Sequence, residues 1–453
     1  MTEVAIPRHR GSISHTAPPE MRSALCGFHS RYRIPLTCPS AFLFYLDHLA
    51  LPNSLADFIF TKLARQWPRL GHILLFAQKA REGASRESQA AVNGPEAWMQ
   101  QLNLEFCGRL QCNRPFFLTR NNGENVKSDR TVSFVFDGSS PVPLAVAKLG
   151  SNRRQSSILK NEYETLLRLS SHFDDAHSGF IPQPLDFFEA SSWAVLLESW
   201  LPGRTAHFET RNSWDPLQYV PRHFRHALEW LMVFQKIIGA KVIPLDPSAA
   251  MYYVVQPLEA FARRARPSSA ETDLITSTTN LAQRLLGTPM LLAAGHGDFW
   301  SGNLLLDKDS VGVIDWEHFR QEDFPFEDLF FFSIAYGLSF PWKPGHRADS
   351  QTAFRATYLQ ATPIADQVRS FLLSYCNATG LATELLELFF PVFLARRALD
   401  ELGPGSIEEQ SEARFVRSRM WRNLFRIYAE RSEPACFIDR RRKWRGMPCA
   451  RSC

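Results

Sequence analysis

The stretch from His296 to Phe319, HGDFWSGNLLLDKDSVGVIDWEHF, constrains the fold more than any other part of the chain. Two apolar runs, Leu304 to Leu306 and Val311 to Ile314, flank Asp307-Lys308-Asp309-Ser310, a pattern that predicts a short antiparallel hairpin with a four-residue turn. Pairing Leu306 with Val311 sets Asn303 opposite Ile314, so Asn303 and Asp315 leave the open end of the hairpin side by side. Two oxygen donors so placed suit a hard divalent cation such as magnesium, which takes one or two protein oxygens and completes its shell with water and phosphate. Asp298 precedes the hairpin on a tight loop, between Gly297 and Gly302, which break regular structure and relieve steric limits on the backbone.

A carboxylate held beside a metal and phosphate site can orient a hydroxyl and accept its proton, as in kinase-type phosphoryl transfer, where catalysis is mostly positioning and charge neutralisation. HGDFWSGN followed by VIDWE resembles the aminoglycoside phosphotransferase and choline kinase group, relatives of the protein kinases. The resemblance implies an α+β, bilobal protein kinase-like fold, with a small antiparallel sheet lobe and a mostly helical lobe. It also implies transfer of the γ-phosphoryl group of ATP to a hydroxyl of a small molecule, aminoglycoside-, choline- or sugar-like. In that pattern Asp298 is the catalytic base, Asn303 and Asp315 hold Mg2+, and His296 supports the loop. Pro325-Phe326-Glu327-Asp328-Leu329 resembles the family's Pro-x-x-Asp-Leu, in which Asp328 braces the catalytic loop. The same core is similar to the ketosamine kinases, although those tend to carry Pro after the metal aspartate, where Trp316 stands here. A reading from another class is a catalytically weak, kinase-shaped binding module.

Upstream, Pro115 to Thr119, Thr131 to Phe136 and Pro143 to Leu149 are short runs rich in Phe and Val, separated by turn-prone pieces, and they open a small sheet. The third ends in Ala145-Val146-Ala147-Lys148, and a lysine there is where kinases place the cation that holds the α and β phosphates. The helix Ser157 to His172 offers Glu162 as its partner, because Leu166 and Leu169 share its face while Glu164 points away. The loop over the phosphates has a single glycine; Asn122 and Gly123 are its candidate nucleotide contacts. Ile181 to Phe188 and Trp193 to Glu198 complete the sheet. Glu198-Ser199-Trp200-Leu201-Pro202-Gly203 resembles the connector whose backbone reads the nucleotide base, which leaves GTP open beside ATP.

The periodicity beyond residue 215 predicts helices at His223 to Ile238, Leu258 to Arg264, Leu274 to Leu286, Phe326 to Tyr336, Ala365 to Asn377, Glu384 to Glu401 and Glu412 to Glu430. The chain divides into a flexible leader (1–35), a helical N-terminal segment of unassigned role (36–110), the β-rich nucleotide lobe (111–201), the helical catalytic lobe (202–432) and a basic tail (433–453). A net charge of +5 over 453 residues is too mild to argue for nucleic acid. Eight scattered cysteines without a Cys-x-x-Cys pair argue against a zinc site or disulfide framework and suit a reducing cytoplasm. The absence of eighteen consecutive apolar residues predicts a chain that does not span a membrane. Oligomeric state is not legible.

Overall fold

The computed structural model describes residues 23–25, 32–35, 39–50, 62, 105–112, 115–120, 130–137, 140–174, 177, 179–190, 193–308, 310–342, 348–402 and 412–432, with 435 and 437. Among these, the chain forms a sheet lobe and a helical lobe, the bilobal protein kinase-like arrangement. The first elements are β1 (Ser23–Leu25), β2 (Tyr32–Pro35), α1 (Pro39–Phe44), which runs on as a wider turn over Tyr45–Leu49, and α2 (105–110). There follow β3 (Phe116–Arg120), β4 (Arg130–Phe136), β5 (Ala145–Gly150), α3 (Arg153–Ser170), β6 (Pro184–Ala190) and β7 (Trp193–Glu198). The seven strands pair antiparallel in the order β1-β2-β3-β4-β5-β7-β6. The leader was expected to lack regular structure, yet its described residues add two strands to the sheet edge. A three-residue strand carries too weak a pattern to be recognised from sequence.

Two-residue alternation sorts the sheet's side chains. Phe116, Leu118, Phe134 and Phe136 pack against Phe44 on one face, while Phe117, Val135, Ala147, Leu149 and Leu197 pack against Phe106 of α2 on the other. Asn152 starts α3 by accepting from the Gln155 amide at 2.9 Å. The buried stripe Leu159, Glu162, Leu166, Leu169 then lays α3 against the sheet.

After β7 the chain crosses to the helical lobe through β8 (Arg204–Thr205), α4 (Ala206–Arg211) and α5 (Val220–Ile238). α5 buries Val220, His223, Phe224, Ala227, Trp230, Leu231, Phe234 and Ile238, the three- and four-residue spacing of a helix with one inward face. β9 (Ala240–Pro244), α6 (Gln256–Ala265), α7 (Ser269–Arg284) and β10 (Pro289–Ala293) lead to the hairpin β11 (Leu304–Asp307) and β12 (Ser310–Val313). Helices α8 (Glu327–Ser339), α9 (Ser350–Tyr358), α10 (Pro363–Thr379), α11 (Glu384–Leu402) and α12 (Glu412–Ala429) complete the lobe. The predicted helices stand within a few residues of their expected limits. The β9–β10 pair was not anticipated, since Ala240–Pro244 is largely exposed and carries no alternating pattern. Among the described residues no single helix is long and apolar enough to cross a membrane, although α10 and α11, bent by 119°, pass that test together.

The segment 39–50 joins both lobes at the connector. Phe44 lies 5.1 Å from Phe134, 5.5 Å from Phe136 and 5.9 Å from Trp200 between ring centroids, and its ring stacks on His48 at 4.5 Å. His48 Nδ1 donates to the Gly203 carbonyl at 2.9 Å, and Asn212 Nδ2 of the helical lobe donates to the Ala50 carbonyl at 3.2 Å. Gly203 has φ +108, and a Cβ there would sit 2.6 Å from the Leu306 carbonyl oxygen, so only glycine allows the connector to lie this close to β11. Replacing Phe44 with Ala should destabilise the chain by about 3 kcal/mol, the ordinary cost of removing a buried aromatic ring. A lowered thermal unfolding midpoint checks this, with an unchanged midpoint as the contrary result.

Candidate active site

Lys148 lies within β5 rather than at its end, because pairing with β4 and β7 continues to Gly150. The strand is buried along its whole length, and Lys148 itself is 4% exposed. An isolated ammonium in such a place would lose its charge. It is instead 2.5 Å from Glu162 Oε1, 3.2 Å from Glu198 Oε1 and 3.6 Å from Asp315 Oδ1. Burial works against the charge, but Glu162, then Glu198 and Asp315, outweigh it and hold the amine above its ordinary value. Glu162 is fully buried, while Glu164 is exposed, as the helical phase requires. Its Oε1 also accepts from the Trp316 amide at 3.1 Å, so one carboxylate ties α3 to β5 and to the end of the hairpin.

The hairpin has the register expected from its sequence: Leu306 pairs with Val311, and the Ile314 amide donates to the Asn303 carbonyl at 3.1 Å. The turn is tighter than expected. Asp307 pairs with Ser310, leaving two residues in the loop, and Lys308 takes a left-handed φ of 44°. Asp315 also adopts a left-handed conformation, φ 74°, which is uncommon outside glycine and turns the chain sharply after β12. A third of the Asp315 side chain, 33%, stays open to the cleft. Burial raises its pKa, but Lys148, then Arg130, overcome this and hold the carboxyl well below the usual range.

The loop carrying Asp298 is fixed from behind. Asp328, at the start of α8, accepts from the amides of His296 at 2.6 Å and Gly297 at 2.9 Å. His296 Nε2 faces the Ile314 carbonyl at 3.0 Å and its Nδ1 faces the Asp298 amide at 3.2 Å. Those partners assign the proton to Nε2 and leave Nδ1 as acceptor. Burial drives the His296 pKa down to about 4, so the ring is neutral and structural. Gly297 has φ +79, and a Cβ there would run into the His318 carbonyl. Arg397 of α11 donates to the Gly297 carbonyl at 3.0 Å and lies over the Phe331 ring at 4.0 Å. Phe299 and Trp316, next to Asp298 and Asp315 in sequence, are fully buried and both lie against Trp230 of α5.

Asn303 Nδ2 donates to the Asp298 carbonyl at 2.9 Å and to Asp298 Oδ2 at 3.1 Å. With the amide nitrogen so engaged, the amide oxygen is the group Asn303 offers to a cation. Burial, reinforced by the negative charge of Asp315, pushes Asp298 up to about 6. The expected residues Lys148, Glu162, Asn303, Asp315, Asp298, His296 and Asp328 are thus linked by a continuous set of contacts between the lobes. Asn122 and Gly123 lie outside the described residues.

Three residues were not anticipated in the site. Glu198, the last residue of β7, is a second buried carboxylate on Lys148, and burial pushes it up to about 7 against the pull of that lysine. Arg397 reaches the catalytic loop from a helix a hundred residues away in sequence, a pairing no local pattern reveals. Arg130, the first residue of β4, contacts Asp315 Oδ1 at 2.9 Å and Glu162 Oε2 at 3.3 Å, and also pairs with Glu317. Its signal was available: alternation along β4 puts it on the face of Val132, which pairs with Lys148.

The acidic residues that follow Asp315 are paired. Glu317 meets Arg130, Glu322 meets Lys241 at 2.5 Å, Asp323 meets Arg320 at 2.9 Å and Glu327 meets Arg397 at 2.8 Å. These carboxylates are matched by cations of the chain itself and form no acidic wall. Truncating Asp328 to Ala would leave two buried amides without their acceptor, a loss on the order of 3 kcal/mol. The expected outcome is a lower unfolding midpoint with faster amide exchange at His296 and Gly297, and unchanged exchange there would contradict this account.

Comparison with known proteins places the chain. Residues 135–368, more than half of its length, match the profile of the phosphotransferase enzyme family that includes the aminoglycoside phosphotransferases. No curated protein matches the chain. Among solved structures, the aminoglycoside phosphotransferase APH(4)-Ia, in complex with ADP and hygromycin B, is 15% identical over 72% of this chain and 98% of its own, with a TM-score of 0.42. The macrolide 2'-phosphotransferase MphH from Brachybacterium faecium is 17% identical over 72% of this chain and 98% of its own, at a TM-score of 0.42. A putative fructosamine-3-kinase from Thermobifida fusca is 15% identical over the same shares, 72% and 98%, at 0.38. With the match running from the end of β4 through the connector and the Asp298–Asp315 region, over more than half of its length, the chain belongs to the phosphotransferase enzyme family.

Proposed function

We propose that the chain transfers the γ-phosphoryl group of ATP to a hydroxyl of a small molecule, with magnesium as the metal. The observation that carries this reading is the convergence of the Lys148–Glu162 pair with Asp315, Asn303 and Asp298 in one cleft between the lobes. Lys148, held charged, suits the α and β phosphates. The donor set fits a hard divalent ion. Asp315 offers an ionised carboxylate and Asn303 an amide oxygen, and Lys148 and Arg130 face four carboxylates, leaving an excess of negative charge. Among the described residues no group of three or more His, Cys, Asp or Glu forms a metal cage, and magnesium asks for fewer protein ligands than that. Asp315 and Asn303 would hold the ion, which would supply charge neutralisation for the phosphates.

Asp298 orients the acceptor hydroxyl and takes its proton as the acceptor oxygen bonds to the γ-phosphorus. The bond from that phosphorus to the β,γ-bridging oxygen breaks, and ADP departs. Asn303 fixes the rotamer of Asp298 by donating to Oδ2. The connector presents backbone groups to the base, so GTP belongs in the test alongside ATP. For the acceptor, the paired state of Glu317, Glu322, Asp323 and Glu327 removes the carboxylates that a polycation would have needed. A sugar-like, ketosamine or amino-alcohol acceptor requires no such wall.

Asp298→Ala is expected to lower kcat by about 10²–10⁴-fold while leaving nucleotide affinity near wild type, measured as ADP release across a panel of hydroxylated acceptors. Wild-type turnover in that variant would remove Asp298 from the mechanism. Asp315→Ala is expected to abolish the magnesium dependence of nucleotide binding, read by calorimetry with and without the metal. Tight nucleotide binding with no phosphoryl transfer to any acceptor would favour a kinase-shaped binding module.

A further inference from the structure

We infer that Arg130 is a second phosphate-binding cation of the nucleotide site, one that shares the metal carboxylate Asp315 and must release it as metal and nucleotide enter. The inference rests on the phosphotransferase reading above and adds a residue to it. β4 and β5 run antiparallel with Val132 opposite Lys148 and Arg130 opposite Gly150. Residues two apart on a strand share a face, so Arg130 and Lys148 project from the same side of the sheet, toward the hairpin. The Arg130 Nη2 lies 2.9 Å from Asp315 Oδ1, the oxygen that Lys148 Nζ approaches at 3.6 Å.

The surroundings decide what the guanidinium is for. Among the described residues it contacts the carboxylates of Asp315, Glu162 and Glu317, reached at once from its two terminal nitrogens. Glu162 meets Lys148 and the Trp316 amide through Oε1 and the guanidinium through Oε2, so it stays partnered by the lysine when Arg130 shifts. Glu317 stands two residues beyond Asp315 and gives the guanidinium a holding point at the edge of the site. A divalent ion on Asp315 and a guanidinium on the same oxygen repel each other, so both cannot keep their places. A triphosphate supplies new acceptors as the metal arrives, and the planar fork of arginine matches phosphate oxygens in pairs. Arg130 therefore exchanges Asp315 for phosphate while its strand position stays fixed.

An arginine that served only to strap the lobes together would affect folding, whereas this role moves two binding constants in opposite directions. The test compares wild type with Arg130→Ala and with Arg130→Gln, the latter keeping most of the side chain's length should the shorter variant fold poorly. ATP binding is measured by calorimetry in EDTA, and Mn2+ binding without nucleotide by electron paramagnetic resonance. Loss of the cation is expected to weaken metal-free ATP about tenfold and to tighten Mn2+ severalfold. Metal-free ATP binding at wild-type strength in the variants overturns the inference, as does Mn2+ affinity that falls or stays level. If the wild-type chain binds no ATP with or without metal, the phosphotransferase reading and this inference fail together. Normal wild-type binding with unaffected variants defeats the inference alone.

Discussion

A buried ammonium surrounded by carboxylates is the constraint on which the geometry of this protein depends. Lys148 has no water to keep its charge, so Glu162, Glu198 and Asp315 must stand within reach, and those three come from a helix, a strand end and a hairpin end. Removing one member of such a set leaves the others with unbalanced charge in a poorly solvated place, which is why buried pairs cost far more to break than exposed ones. The cluster therefore fixes the relative positions of α3, β7 and the hairpin as firmly as apolar packing does. It acts beside an apolar cluster in which Leu166 and Leu169 of α3 pack with the helical lobe.

Asp298 and Asp315 are positioned by a common scheme. Each is the neighbour of a fully buried aromatic residue: Asp298 precedes Phe299 and Asp315 precedes Trp316. Both rings rest on Trp230, and Phe299 also lies 5.3 Å from Phe332. The ring holds the backbone while the adjoining side chain stays accessible. The left-handed backbone at Asp315 contributes to that accessibility, and strain of this kind persists only where surrounding contacts over-determine it. Glu162 supplies one of those contacts by accepting from the Trp316 amide.

Much of this was legible in the chain because it rests on local period. Short runs rich in Phe and Val between turn-prone pieces gave β3, β4 and β5, the three- and four-residue spacing gave the long helices, and the hairpin register followed from placing Leu306 against Val311. Glu162 was distinguishable from Glu164 because helical phase separates a buried face from an exposed one. The unread parts are those in which sequence distance hides a contact. Glu198 meets Lys148 only once β7 pairs with β5, Arg397 meets Gly297 only once α11 packs on the loop, and β1 and β2 are too short to carry a period.

The grip of residues 39–50 on the connector has a consequence for where the working unit of this enzyme family starts in this chain. The recognisable family match opens at residue 135, inside β4. Phe44, His48 and Ala50 nevertheless touch Phe136, Trp200, Gly203 and Asn212, so the connector between the lobes is backed by chain that lies well outside the match. A minimal domain trimmed to the limits of homology would bare Trp200 and Phe136 to solvent and loosen the connector itself. In this protein the physical boundary of the catalytic body lies upstream of its evolutionary one.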